Sequence, residues 1–121
     1  MIKAGIRVAE SVARTATQTF EQDSNNLSNG VFIVNITAGA TAVNTVIITI
    51  DGYDDASETW YNILTSSTLI SVEKTILRVG GYTPSASSSS VEDFLPKKFR
   101  VVATKNNATV VTYSIGVNLS D

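Results

Sequence analysis

Through most of this chain, apolar side chains recur at every second position, and that period commits it to pleated strands. Residues 31–38 put Phe32, Val34 and Ile36 on one face. Residues 44–52 do the same with Val46, Ile48 and Ile50, leaving Ile47, Thr49 and Asp51 on the other. Residues 109–119 alternate cleanly, with Val111, Tyr113, Ile115, Val117 and Leu119 sharing a face. Further strands are expected over 59–64, over 75–79, and over the stretch that follows Pro96 to about Thr104. Small, acidic or Gly/Pro/Ser-rich turns separate them at intervals of about 8–12 residues. No window of helical length shows a 3.6-residue period after residue 20. Such an inventory predicts an all-β fold, an antiparallel β-sandwich or jelly-roll-like single domain.

Composition supports this. With 121 residues and 43% hydrophobic content, the chain is the size of one domain with a core. It carries 14 Val and 11 Ile, stiff at χ1 and suited to a half-buried pleated surface. It also carries 14 Ser and 15 Thr, which predicts hydroxyl-rich outer faces. Cys and His are both 0, which excludes disulfides, thiolate zinc sites, cysteine nucleophiles and imidazole-dependent triads. A formal charge of −2 supplies no electrostatic footprint for nucleic acid and no polybasic membrane patch. We expect no enzyme activity, no cofactor and no metal. The run 2–12 is too short and too charged for a signal core or a membrane span, so we expect synthesis in a cytoplasm. Asn-x-Ser/Thr triplets at Asn26, Asn35, Asn107 and Asn118 are read as chance.

Residues 1–28 look different. Ile2, Ile6, Val8 and Val12 are thinly spread, residues 14–20 are Thr-rich, and residues 21–30 are a polar turn. We expect an extended N-terminal arm over 1–28, ordered against a neighbouring chain, and a β-sandwich domain over 29–121. Among candidate sites, Asp51, Asp54, Asp55 and Glu58 form an acidic run without the spacing of a Ca²⁺ loop, and are expected to be a hairpin turn. Trp60 and Tyr61 are adjacent on a strand and so face opposite ways; one is expected in the core and the other at an interface. A sugar platform built on Tyr53, Tyr82 and one of these rings is the competing expectation. The loop 80–90 lacks the pattern of a phosphate cradle and is expected to be a mobile or neighbour-contacting loop. Arg14, Thr15, Thr17, Phe20, Trp60, Tyr61, Lys97, Lys98 and Arg100 are the residues expected to meet a partner.

The strand motifs, taken in order, resemble a known group. Arg14-Thr15-Ala16-Thr17 precedes the strand at 30–41, then comes a hairpin with paired aromatics at 46–64 and a strand at 75–79. Leu95-Pro96-Lys97-Lys98-Phe99-Arg100-Val101 and Thr112-Tyr113-Ser114-Ile115-Gly116 follow. From about residue 11 to the end this is similar to small β-rich virion proteins of tailed bacteriophages. The serine-rich stretch 85–90 departs from that pattern. The resemblance implies a virion structural protein, above all a head decoration protein bound to the major capsid protein or other virion subunits, and a homo-oligomer. A tail or head–tail joining role is the alternative within that class. A carbohydrate-binding module on a fibre or cell surface is the alternative outside it.

Overall fold

The computed structural model of the chain describes residues 4–81 and 89–121. It is an all-β sandwich of two packed sheets. The strands are β1 (Ala4–Arg14), β2 (Gln18–Asp23), β3 (Asn29–Ala38), β4 (Val46–Asp54), β5 (Thr59–Thr65), β6 (Lys74–Val79), β7 (Ser90–Val91), β8 (Lys98–Lys105) and β9 (Val111–Ser120). One sheet has the order β1-β9-β3-β6-β7 and the other β2-β8-β4-β5. All neighbours are antiparallel except the short β6–β7 pair.

The period-two pattern does what it should. On β3 the buried residues are Gly30, Phe32, Val34 and Ile36, and on β9 they are the five residues from Val111 to Leu119 at odd positions. From the opposite sheet, Val46, Ile48, Ile50, Phe99, Val101 and Ala103 complete the core, all fully buried. Phe32 of one sheet meets Phe99 of the other edge-to-face, with ring centroids 5.8 Å apart. Leu77 and Val79 point in from β6, while Ile76 and Arg78 point out, as the alternation requires.

The N-terminal segment is extended, but within the described residues it is part of both sheets. β1 pairs with β9 from Ala4↔Leu119 to Arg14↔Val111, and β2 pairs with β8 from Gln18↔Ala103 to Asp23↔Lys98. Where a neighbouring chain was expected to order this arm, within the described residues it is ordered by pairing with strands of its own chain. Its alternation is hidden by two register shifts, between Arg7 and Ala9 and between Ala9 and Val12, which bury Val8 and Ala9 side by side. Asn25 and Asn26, both at positive φ, then turn the chain into β3, with Asp23 Oδ1 accepting from the Asn25 N–H at 2.7 Å.

At the end of the sandwich where β8 turns into β9, Asn44 ties three segments together. Its Nδ2 donates to the carbonyls of Gly39 (2.9 Å) and Val110 (3.1 Å), and its Oδ1 accepts from Lys105 Nζ. Burial pushes the Lys105 ammonium below the ordinary lysine value. Gly39 sits at φ +92°, and a Cβ there would stand 2.2 Å from the Val110 oxygen, so only glycine closes this corner.

Candidate functional site

The opposite end of the sandwich carries a cluster of aromatic rings and cations. The register of the β2-β8-β4-β5 sheet builds it. Asp51 pairs with Arg100 on one side and Asn62 on the other, and Tyr53 lies directly across from Trp60. On the outward face these side chains close on one another. Arg100 Nε donates to Asp51 Oδ2 at 2.9 Å, and Asn62 Nδ2 donates to Asp51 Oδ1 at 3.3 Å. The Arg100 guanidinium lies 4.4 Å from the Trp60 ring centroid, and Trp60 packs edge-on against Tyr53 at 4.9 Å. Lys98 Nζ lies 4.7 Å from the Tyr53 centroid and 5.4 Å from that of Trp60, and pairs with Glu21 at 3.2 Å. Asp51 is 7% exposed, so this ion pair is much less screened than the open Lys98–Glu21 pair.

Around the edge of the same strand, Tyr61 faces the other way. Its ring lies across Gly52, where an added Cβ would stand 2.6 Å from Tyr61 Cζ and 2.8 Å from Pro96 Cγ. The ring remains 43% exposed. Partial burial pushes the phenol above the ordinary tyrosine value, and the carboxylates of Asp93 and Asp54 push it further. Lys97 is exposed and borders a groove of about 510 Å³ shared with Glu21, Gln22, Asp23, Asp55 and Lys98.

The structure thus brings Trp60, Lys98 and Arg100 together, which sequence spacing alone leaves up to 40 positions apart, while Tyr61 lies on the other face of β5 and Lys97 borders the neighbouring groove. Neither Trp60 nor Tyr61 enters the core, contrary to expectation. β5 is an edge strand, and at Gly52 the inward face offers Tyr61 only backbone and Pro96 to lie on. Arg14 and Phe20 form a separate corner. The Arg14 guanidinium donates to the carbonyls of Tyr113 (2.6 Å) and Glu10 (2.7 Å) and stacks on the rings of Tyr113 (4.4 Å) and Phe20 (5.6 Å). Those bonds are internal, so Arg14 locks β1 onto β9 and β2. Thr17 Oγ1 accepts from the Lys105 N–H at 3.0 Å, and Thr15 is exposed between the two strands.

The acidic run divides. Asp51 faces Arg100, while Asp54 holds the β4–β5 turn by accepting from Ser57 Oγ (2.7 Å) and the Ala56 N–H (3.1 Å). Those bonds draw its carboxyl below the ordinary aspartate value. Among the described residues no group of three His, Cys, Asp or Glu side chains is disposed to hold a metal ion. Tyr82 and most of the serine-rich loop lie outside the described residues. No helix of the described residues is long and apolar enough to cross a membrane. No protein-family model matches this chain, and no curated protein matches it either.

Proposed function

We propose that this chain is a structural protein of a tailed-phage virion, a decoration protein that binds the assembled head shell and stabilises it through protein–protein contacts. The observation that carries the proposal is the pre-set anchor at the β4–β5 end. Tyr61 stands half-exposed on Gly52 and Pro96 on one side of β5, and on the other lies a Trp60–Arg100–Asp51 stack whose charges are already satisfied. Aromatic and arginine side chains held rigidly at a surface suit a protein interface, because little rotamer freedom remains to be lost on docking. A particle that repeats such a contact many times needs only a modest interface from each copy.

Two further features favour this over the alternatives. The motifs that resemble virion proteins fall on strands that build both sheets. The Trp60 and Tyr53 rings are engaged by Lys98 and Arg100 of the same chain, which leaves a sugar fewer free ring faces to stack on. Removal of residues 1–20 would delete β1 and half of β2, so point variants make the cleaner test. Tyr61→Ala and Lys97→Glu should weaken binding to undecorated heads at least tenfold in co-sedimentation, with Tm unchanged. Imaging of the particle should place the protein on the shell. Density on the tail or neck would overturn decoration in favour of a joining role, and wild-type protein that ignores heads but binds a glycan array would overturn the virion proposal.

A further inference from the structure

The outward face of the β1-β9-β3-β6 sheet is unlike the rest of the surface. Register sets its side chains in rows. One row runs Arg7, Gly116, Ile33, Ile76, because Arg7 and Ile33 flank Gly116 and Ile33 pairs with Ile76. The next row places Asn118 and Val31 beside Arg78, and a third places Ser114 and Asn35 beside Lys74. Three cations therefore ring a pair of isoleucines, and none of these paired positions carries a carboxylate. Arg7, Lys74 and Arg78 are exposed, and neither ion pair of the described residues involves them. Residues 1–3 and 82–88 contain no Asp or Glu that could neutralise them. Where Gly116 has no side chain, a shallow groove of about 300 Å³ opens between Arg7 and Ile33.

Of the 11 acids, Glu10 lies on β1 of this sheet and Glu73 immediately precedes Lys74; with three of the nine cations on this face, six remain for the other segments against the other nine acids. The densest of that negative charge is the β4–β5 hairpin tip, where Asp54, Asp55 and Glu58 are all exposed and residues 53–59 include no cation. The two surfaces match in charge and in number of charged groups.

We infer that the outward face of the β1-β9-β3-β6 sheet is the seat for the acidic β4–β5 hairpin of a second copy of this chain. The contact is heterologous, with different surfaces of the two copies meeting, so it propagates head to tail and closes into a ring or extends as a row. Its strength comes from opposite fields across a small apolar centre, which makes it steeply salt-dependent. The inference names a partner for the assembly role proposed above and stands or falls separately from it.

The test is sedimentation velocity of the full chain at about 0.01 M and about 1 M salt, between which the Debye length falls from about 30 to about 3 Å. Mass should rise with protein concentration at low salt and return to the monomer at high salt. Arg7→Glu with Arg78→Glu should weaken self-association at least tenfold, and so should Asp55→Lys with Glu58→Lys. All four positions are exposed, and unchanged melting curves will show that the fold survives. Gly116→Val supplies a variant without charge change: its Cβ would meet nothing closer than the Ile6 oxygen at 3.7 Å, so it fills the groove without forcing the backbone. It too should weaken association. An equimolar mixture of the two charge-reversed variants should assemble again. A wild type that stays monomeric at low salt, association that persists at 1 M salt, or a mixture that fails to assemble overturns the inference. Binding to heparin without self-association overturns it too, and assigns the face to a polyanion. Charge-reversed variants that self-associate as the wild type does, and still bind heads, overturn the face assignment while leaving the virion role intact.

Discussion

Replacing Tyr113 with phenylalanine should make this protein more stable. Tyr113 is fully buried, and among the described residues its hydroxyl has no hydrogen-bond partner. A buried hydroxyl without a partner costs about 1–3 kcal/mol of desolvation. Tyr113→Phe removes that cost and leaves a void of roughly 10 Å³, worth only about 0.2 kcal/mol at ~24 cal/mol per Å³. The other interactions at this residue survive. Arg14 still stacks on the ring, and it still donates to the residue 113 carbonyl. The net gain is about 1–3 kcal/mol, which for a chain of this length raises Tm by roughly 4–12 °C. Calorimetry and urea unfolding read it directly, with the midpoint rising and the m-value unchanged. A lower Tm or midpoint refutes the reasoning, because it would mean that the hydroxyl is satisfied in solution by a partner or a bound water.

Other perturbations follow from the same contacts. Asp51→Ala leaves the Arg100 guanidinium without its acceptor; because that side chain is 28% exposed, the loss should be about 2 kcal/mol rather than the larger figure for a sealed pair, read by urea unfolding. Gly39→Ala forces a Cβ against the Val110 oxygen at positive φ and should cost at least about 2 kcal/mol, so an unchanged melt would contradict the corner geometry. The alkaline limb of stability should be set by two opposing signs. Tyr113 and Tyr61 are raised in the folded state, so their contribution is intact below the unfolded tyrosine value of about 10 and is lost as pH rises past it. Lys105 is lowered, so its penalty fades as pH climbs from that lowered value toward about 10.4. Urea midpoints should therefore hold or rise slightly up to about pH 10 and fall beyond it, with a shallower fall in Tyr113→Phe.

The strands that supply most of the core were legible because their inward positions alternate without interruption. β3, β4, β6, β8 and β9 all lie where the period of two places them, and Ile76 and Arg78 face outward as expected. β1 was not legible. Its two bulges break the period, and its buried contribution comes from Val8 and Ala9 rather than from an alternating series. Trp60, Tyr61, Lys98 and Arg100 stand out in the sequence, but their pairing across β5, β4 and β8 does not. Asp51 looks like a member of a turn cluster until register sets it beside Arg100, and no local signal specifies that register. Gly52 as the resting place of Tyr61 carries no mark in the sequence either, because the close approach is made by a residue nine positions away.

The placement of β9 has a consequence for how the chain comes to be folded. β9 is an interior strand, flanked by β1 and β3, so β1 cannot find its neighbour, nor β3 its second neighbour after β6, until synthesis reaches residue 111 and beyond. β1 and the β9-facing edge of β3 therefore emerge from the ribosome unpaired. Such non-local closure is slow, and the waiting intermediates are prone to aggregate. That delay makes closure of the first sheet wait on residues 111–120 rather than on the first half of the sequence.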